Sequence, residues 1–256
     1  MLLPALLSLS LMLPGTLSGA TVPNSGSPSI MPIAAAKDPG PYPWEAAPRD
    51  HDPESPSWMK LHDDLVAGIH AGPPPDLLFV GDSITAQWQV QGKPVWDKVF
   101  APRRAFGLGI NGDTTQSVLW RLDHGEVDGI APRVTVLLIG TNNIRHASAR
   151  DVVHGIEAVA AAIHRKLPQT RLVVLALFPR SLRADDPLRL KANAVNTLLA
   201  KVDLGRQARY LDIGGAFLDG NGTLPKAIMA DGLHPTERGY QVWADAITPT
   251  LATLLR

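Results

Sequence analysis

The stretch VTVLLIGTNNIRHASARDVVHGIEAVAAAIHRKLPQTRLVVLAL, residues 134–177, decides the fold. It opens on Val134-Thr-Val-Leu-Leu-Ile139 and closes on Leu172-Val-Val-Leu-Ala-Leu177, short apolar runs rich in branched residues, as strands buried on both faces are. Between them, Asp151 to about Lys166 has a helical period: Val152, Ile156, Val159 and Ile163 fall within about 60° of one another at 100° per residue. Strand, helix, strand is the unit of a parallel sheet. Outward from it, Leu77-Leu-Phe-Val80 and Arg209-Tyr-Leu-Asp-Ile213 read as further strands. About Pro187 to Val202 reads as a helix, and Thr236 to Leu255 as a closing helix capped by Thr236. The class is α/β, a three-layer α/β/α domain whose parallel sheet is covered on both faces. Sites on such sheets gather at the carboxyl ends of the strands, so the polar residues just past each strand carry the functional reading.

Composition narrows the chemistry. Of 256 residues, 45% are hydrophobic and 19% charged, and Lys plus Arg balances Asp plus Glu at 24 each, so no global field draws the protein to nucleic acid or an anionic membrane. There is no cysteine, which excludes disulfides, thiolate metal sites, iron–sulfur clusters, a thiol nucleophile and a lipid-anchored cysteine. The apolar run Leu2–Leu13 is too short to span a bilayer, and Ser18 and Ala20 suit cleavage before Thr21. Residues 1–20 therefore read as a secretory signal, with an uncleaved N-terminal anchor as the alternative, although no Lys or Arg precedes the run. From Thr21 to Ser57, nine prolines in 37 residues favour extended chain, a linker or an ordered wrap. The folded unit is expected over residues 58–256.

Four strand ends carry polar groups. Gly81-Asp82-Ser83-Ile84 follows the first strand; Ser83 at such a turn is a candidate nucleophile, or Asp82 or Ser83 simply caps the next helix. Gly107-Leu-Gly109-Ile-Asn-Gly112 spells a dinucleotide pattern, but it lacks a clear strand before it and an acidic residue closing the next strand, since Asp123, Glu126 and Asp128 sit in a polar loop. A backbone N–H at Gly112 approaching a substrate oxygen is the other use of such a loop. Asn142, in Gly140-Thr-Asn142-Asn143, either caps a helix or presents its amide to a developing anion. In Asp231-Gly-Leu-His234 the carboxylate can hold one ring nitrogen and leave the other as a base. Asp151-Val-Val-His154 has the same spacing. There His154 lies about 200° from Val152, so it reads as a surface residue and Asp151 as an N-cap or first-turn charge. Trp88, Trp96 and Trp120 read as core, with a sugar platform or acyl pocket as alternatives.

Taken in order, these blocks resemble the SGNH, or GDSL, hydrolase family: Gly81-Asp82-Ser83, Gly112 with Asp113-Thr114-Thr115, Gly140-Thr-Asn142, and Asp231-x-x-His234. Within it, Gly112–Leu122, Leu177-Phe-Pro-Arg180 and Asp186-Pro-Leu-Arg189 are similar to the platelet-activating-factor acetylhydrolase Ib type of catalytic subunit. The resemblance implies a flavodoxin-like esterase without metal or organic cofactor. It carries over Ser83, Asp231 and His234 as catalytic and Ser83, Gly112 and Asn142 as oxyanion donors. Subunits of that type are intracellular and dimerise, which implies a homodimer, whereas this chain reads as secreted or periplasmic, with no stable membrane anchor after cleavage. The function expected is an exported serine esterase removing acetyl or other short acyl groups from a carbohydrate or small ester. The alternatives are phospholipid or lysophospholipid hydrolysis, acyl transfer to a sugar, and a non-catalytic binding module.

Overall fold

The computed structural model describes residues 41–49 and 57–256, all within one compact unit, Pro39–Arg256. The signal reading of residues 1–20 and most of the proline-rich stretch lie outside the described residues. Five parallel strands form one sheet: β1 (Leu77–Gly81), β2 (Ala105–Gly109), β3 (Val134–Leu138), β4 (Arg171–Leu175) and β5 (Ala208–Leu211), in the order β2-β1-β3-β4-β5. That 2-1-3-4-5 order is the flavodoxin-like winding.

The helices are α1 (Trp58–His70), α2 (Ser83–Ala86), α3 (Lys93–Val99), α4 (Thr115–Asp123), α5 (Ala149–Lys166), α6 (Pro187–Leu199) and α7 (Glu237–Leu254). Alternate residues of each strand serve opposite faces. Leu78, Val80, Leu137 and Val174 pack under α1, α4, α5 and α6. Leu77, Phe79, Val136 and Val173 pack under α3 and α7. Each such fully buried aliphatic side chain contributes about 1.5–3 kcal/mol relative to exposure, which is why the continuous apolar runs specify covered strands. The three-layer expectation therefore holds, with strand bounds moved by one or two residues. Thr236 caps α7, its hydroxyl accepting from Gly239 N at 3.2 Å.

Three local expectations change. The helix expected from Asp151 begins at Ala149, because Ser148 is the N-cap and Asp151 completes a capping box with it. Gly107 and Gly109 lie inside β2 rather than after a strand, where a Cβ on Gly109 would meet Ala86 N at 2.3 Å, so they serve strand–helix packing and no phosphate loop forms. Glu126, expected in a polar loop, is buried against Arg121. Trp88 and Trp96 sit in an aromatic core with Phe79, Phe100 and Trp243. Trp120 stacks on His124 beside Trp58.

The described part of the N-terminal segment is wrapped onto the domain. Pro43 O accepts from Thr115 Oγ1 at 2.6 Å, Pro41 O from Gln116 Nε2 at 3.0 Å, and Trp44 stacks on His154 at 4.4 Å. Gly155, within α5, makes room: a Cβ there would lie 2.7 Å from Pro43 O. Among the described residues, no helix is long and apolar enough to cross a membrane.

Candidate active site

The register puts the ends of three strands level. Gly81 pairs with Gly109 on one side and with Leu138 on the other, so the loops beginning at Asp82, Ile110 and Ile139 rise from neighbouring strands at one rim. The first turn is tight because Gly81 has no side chain; a Cβ would lie 2.3 Å from Leu138 O. The capping reading falls on Asp82, not on Ser83. Asp82 is the N-cap of α2, its Oδ1 accepting from Ile84 N at 2.9 Å, while Ser83 is the first helical residue with its hydroxyl left for another partner. Burial pushes the Asp82 carboxyl up to about 7, against the pull of the Ile84 N–H, and its Oδ2 has no hydrogen-bond partner among the described residues.

The partner of Ser83 is His234, 151 residues away: Oγ and Nε2 are 2.9 Å apart. Gly232, at φ +74°, turns the chain so that the Leu233 N–H and the N–H and ring of His234 face the Asp231 carboxylate. Leu233 N and His234 N donate to Oδ1 at 2.9 and 2.8 Å, and the ring Nδ1 lies 2.7 Å from Oδ2. Partial burial raises the Asp231 carboxyl, but the His234 and Leu233 bonds outweigh it and the net direction is down. An ionised carboxylate can only accept, so Nδ1 carries the ring proton and Nε2 of the neutral imidazole presents a lone pair to the Ser83 hydroxyl.

Gly112 has φ +78°, a conformation that L side chains rarely adopt. It is also bracketed by Arg49 of the wrapped segment, whose Nη1 donates to Asn111 O at 2.6 Å and lies 3.6 Å from Asp113 Oδ1. A Cβ on Gly112 would sit 2.9 Å from the guanidinium. Asn142 donates one amide hydrogen to Asp113 O at 2.8 Å, joining the loops after β3 and β2 across the end of β1 and leaving its second N–H. Its side chain makes no helix-cap bond.

Sequence reading missed the groups that hold these loops. Asp113 is buried and accepts from Trp58 Nε1 and Arg121 Nε, each at 2.8 Å. Arg121, also buried, reaches Gly81 O at 3.1 Å and pairs with Glu126. On the other side, Arg180 donates to Thr141 O and Oγ1 at 2.8 and 2.9 Å, Arg189 Nε donates to Arg180 O at 2.7 Å, and Ser181 N donates to Gly232 O at 2.6 Å. A continuous set of bonds thus runs from the residue beside Asn142 to the turn carrying Asp231. The signals in the sequence were Asp113 in the block that follows Gly112, an arginine inside an apolar pattern, Arg121 between Leu119 and Leu122, and the charged ends of Leu177–Arg180 and Asp186–Arg189.

Two clefts flank this centre. One of about 280 Å³ is lined by Gln87, Gln91, Ala230, His234 and Pro235 among others. The second, of about 220 Å³, lies between Tyr42 and Pro43 of the wrapped segment and Thr114, Asn142 and His146. Among the described residues, no three His, Asp or Glu side chains cluster as a metal site.

Residues 79–242 match the model of the GDSL-like lipase/acylhydrolase family. The chain is 42% identical over 185 residues to platelet-activating factor acetylhydrolase IB subunit alpha2 of Rattus norvegicus, covering 72% of this chain and 78% of that protein. Among solved structures it is similar to a GDSL-like lipase from Bacteroides thetaiotaomicron, with TM-score 0.63, 18% identity and coverage of 75% and 97%. An acetylxylan esterase from Geobacillus stearothermophilus gives TM-score 0.57 at 17% identity, covering 70% and 94%.

Proposed function

Because the chain belongs to the GDSL-like lipase/acylhydrolase family and is a carboxylic ester hydrolase, we propose that Ser83 is its nucleophile, His234 its general base and Asp231 the residue that orients that base. The observation that carries this is the unbroken relay Ser83 Oγ, His234 Nε2, His234 Nδ1, Asp231 Oδ2, with steps of 2.9 and 2.7 Å.

A serine hydroxyl is a weak nucleophile until a base takes its proton as it attacks. His234 receives that proton on Nε2 while Asp231, kept ionised, stabilises the imidazolium without taking the proton itself. The tetrahedral oxyanion lies over the end of β1, within reach of three donors: the N–H of Ser83, the N–H of Gly112 and the second amide hydrogen of Asn142. Donors fixed before the reaction cost no reorganisation as charge develops, and the bonds from Asp113, Arg121 and Arg180 supply that fixity. The imidazolium then protonates the departing alcohol, the acyl group stays on Ser83, and water activated by His234 releases it as the acid.

The substrate in this reading is an acetyl or other short-chain ester of a carbohydrate or small alcohol, met outside the cytoplasm. The cleft bounded by Tyr42, Pro43 and Asn142 is small, which suits a short acyl group. Export rests on the apolar run Leu2–Leu13 and the small residues at 18 and 20. A homodimer belongs to the same reading, and sedimentation of the purified chain tests it. A second reading, hydrolysis of an acetylated ether phospholipid, is favoured by the 42% identity to a platelet-activating factor acetylhydrolase subunit.

Ser83→Ala is expected to abolish ester hydrolysis and labelling by a fluorophosphonate probe while the far-ultraviolet circular dichroism stays unchanged. Equal rates of variant and parent on an aryl acetate would remove Ser83 from the mechanism. Asn142→Ala is expected to lower kcat about 10²–10³-fold, the usual effect of losing one oxyanion donor.

A further inference from the structure

We propose that the cleft of about 280 Å³ beside His234 receives the alcohol half of the ester, and that Gln87 and Gln91 select there a hydroxyl-bearing, carbohydrate-type alcohol. This rests on the serine-esterase reading above. The direction follows from the chemistry: the imidazolium that took the Ser83 proton must hand it to the departing oxygen, so that oxygen lies within hydrogen-bond reach of Nε2. The rest of the alcohol then extends into the space that His234 itself lines.

The walls of that space suit a sugar. Gln87 and Gln91 project their amides from a turn whose backbone is held firmly: Gln87 O accepts from Val90 N at 3.1 Å and from Gly92 N at 3.0 Å. Gly92 allows the turn to press on the core, since a Cβ there would meet the Trp88 ring at 2.5 Å and the Tyr240 ring at 2.8 Å. Tyr240 in turn donates to Ile84 O at 2.7 Å, tying the turn to the helix that begins at Ser83. Neither glutamine amide has a hydrogen-bond partner among the described residues. Two rigidly rooted amides, each able to donate and accept, match neighbouring hydroxyls, and Ala230 and Pro235 offer an apolar surface to the C–H face of a ring. The lining includes no Lys or Arg to hold a phosphate and no Phe, Tyr or Trp ring to hold a quaternary ammonium, and its one carboxylate, Asp231, is engaged by Leu233 and His234.

The test uses the full chain and three substrates: an acetylated xylo-oligosaccharide, 4-nitrophenyl acetate and an acetylated ether phospholipid in mixed micelles. For the parent enzyme the sugar ester is expected to give a higher kcat/KM than the phospholipid. In the double variant Gln87→Leu, Gln91→Leu, the ratio of kcat/KM on the sugar ester to that on the aryl acetate should fall tenfold or more, carried by a higher KM for the sugar ester. An unchanged ratio overturns the proposal, as does a parent that turns over the aryl acetate but not the sugar ester. Should the double variant fold poorly, Gln91→Ala, at an exposed position, is expected to lower the same ratio about threefold, and no change there is equally fatal. If instead the parent hydrolyses no ester and a fluorophosphonate fails to label Ser83, the underlying esterase reading is what falls.

Discussion

Asp151-Val-Val-His154 and Asp231-Gly-Leu-His234 have the same spacing and opposite fates. At the start of α5, Asp151 turns back to its own N-cap: it accepts from Ser148 Oγ at 2.6 Å and Ser148 N at 3.3 Å, and Asp151 N donates to Ser148 Oγ at 3.2 Å. His154, exposed on the helix, is left to stack on Trp44. Near α7 there is no helix yet at Asp231. The left-handed turn at Gly232 aims both the backbone and the ring of His234 at one carboxylate. The difference teaches that a three-residue interval specifies a pair only together with the backbone between and the donors competing for the acid. At the helix N-terminus the hydroxyl and backbone N–H of Ser148 engage the Asp151 carboxylate in place of the His154 ring.

That contrast can be broken by substitution. Asp231→Asn should cut kcat about 10³–10⁴-fold, because an amide cannot enforce the tautomer that leaves Nε2 unprotonated. Steady-state kinetics check it, and a loss below tenfold would place Asp231 beside Asp151 as a purely structural acid. Gly232→Ala should cost about 1–3 kcal/mol of stability, since φ +74° strains any L side chain and the new Cβ would lie 3.0 Å from Ser181 Cα. With the turn displaced, kcat should fall roughly 10–10²-fold as the base loses its position. The smallest effects belong to the other pair. Asp151→Ala should remove about 1 kcal/mol by loss of the capping box, seen as a lower Tm, and His154→Ala should leave turnover of an aryl acetate at the parent's rate. A rate loss in His154→Ala would show that the wrapped segment, and not only the strand-end loops, governs turnover.

Much of the fold was legible because burial leaves its mark within each element. β1, β3 and β4 read as continuous apolar runs since both their faces are covered, and α5 shows a stripe since one face is. β2 escaped because Ala105-Phe-Gly-Leu-Gly109 is an edge strand built largely of small residues. The candidate residues Ser83, Gly112, Asn142, Asp231 and His234 were legible as residue types at strand ends or in the loops after them, and Ser83, His234 and Asp231 do form one hydrogen-bonded relay. Their supports were not. Arg121 and Glu126 look like surface charges until a buried Asp113 is placed beside Arg121, and Arg49 looks like part of a proline-rich linker until it is found against Gly112.

The chain alone determined the layers, the parallel sheet and the residues able to do the chemistry, because hydrophobic period and turn residues act over a few positions. Tertiary structure decided which hydroxyl the His234 ring meets, what covers Gly112 and which amides face His234. Those contacts join residues about 60 to 150 positions apart, and their distances depend on strand order and register, which no local pattern records.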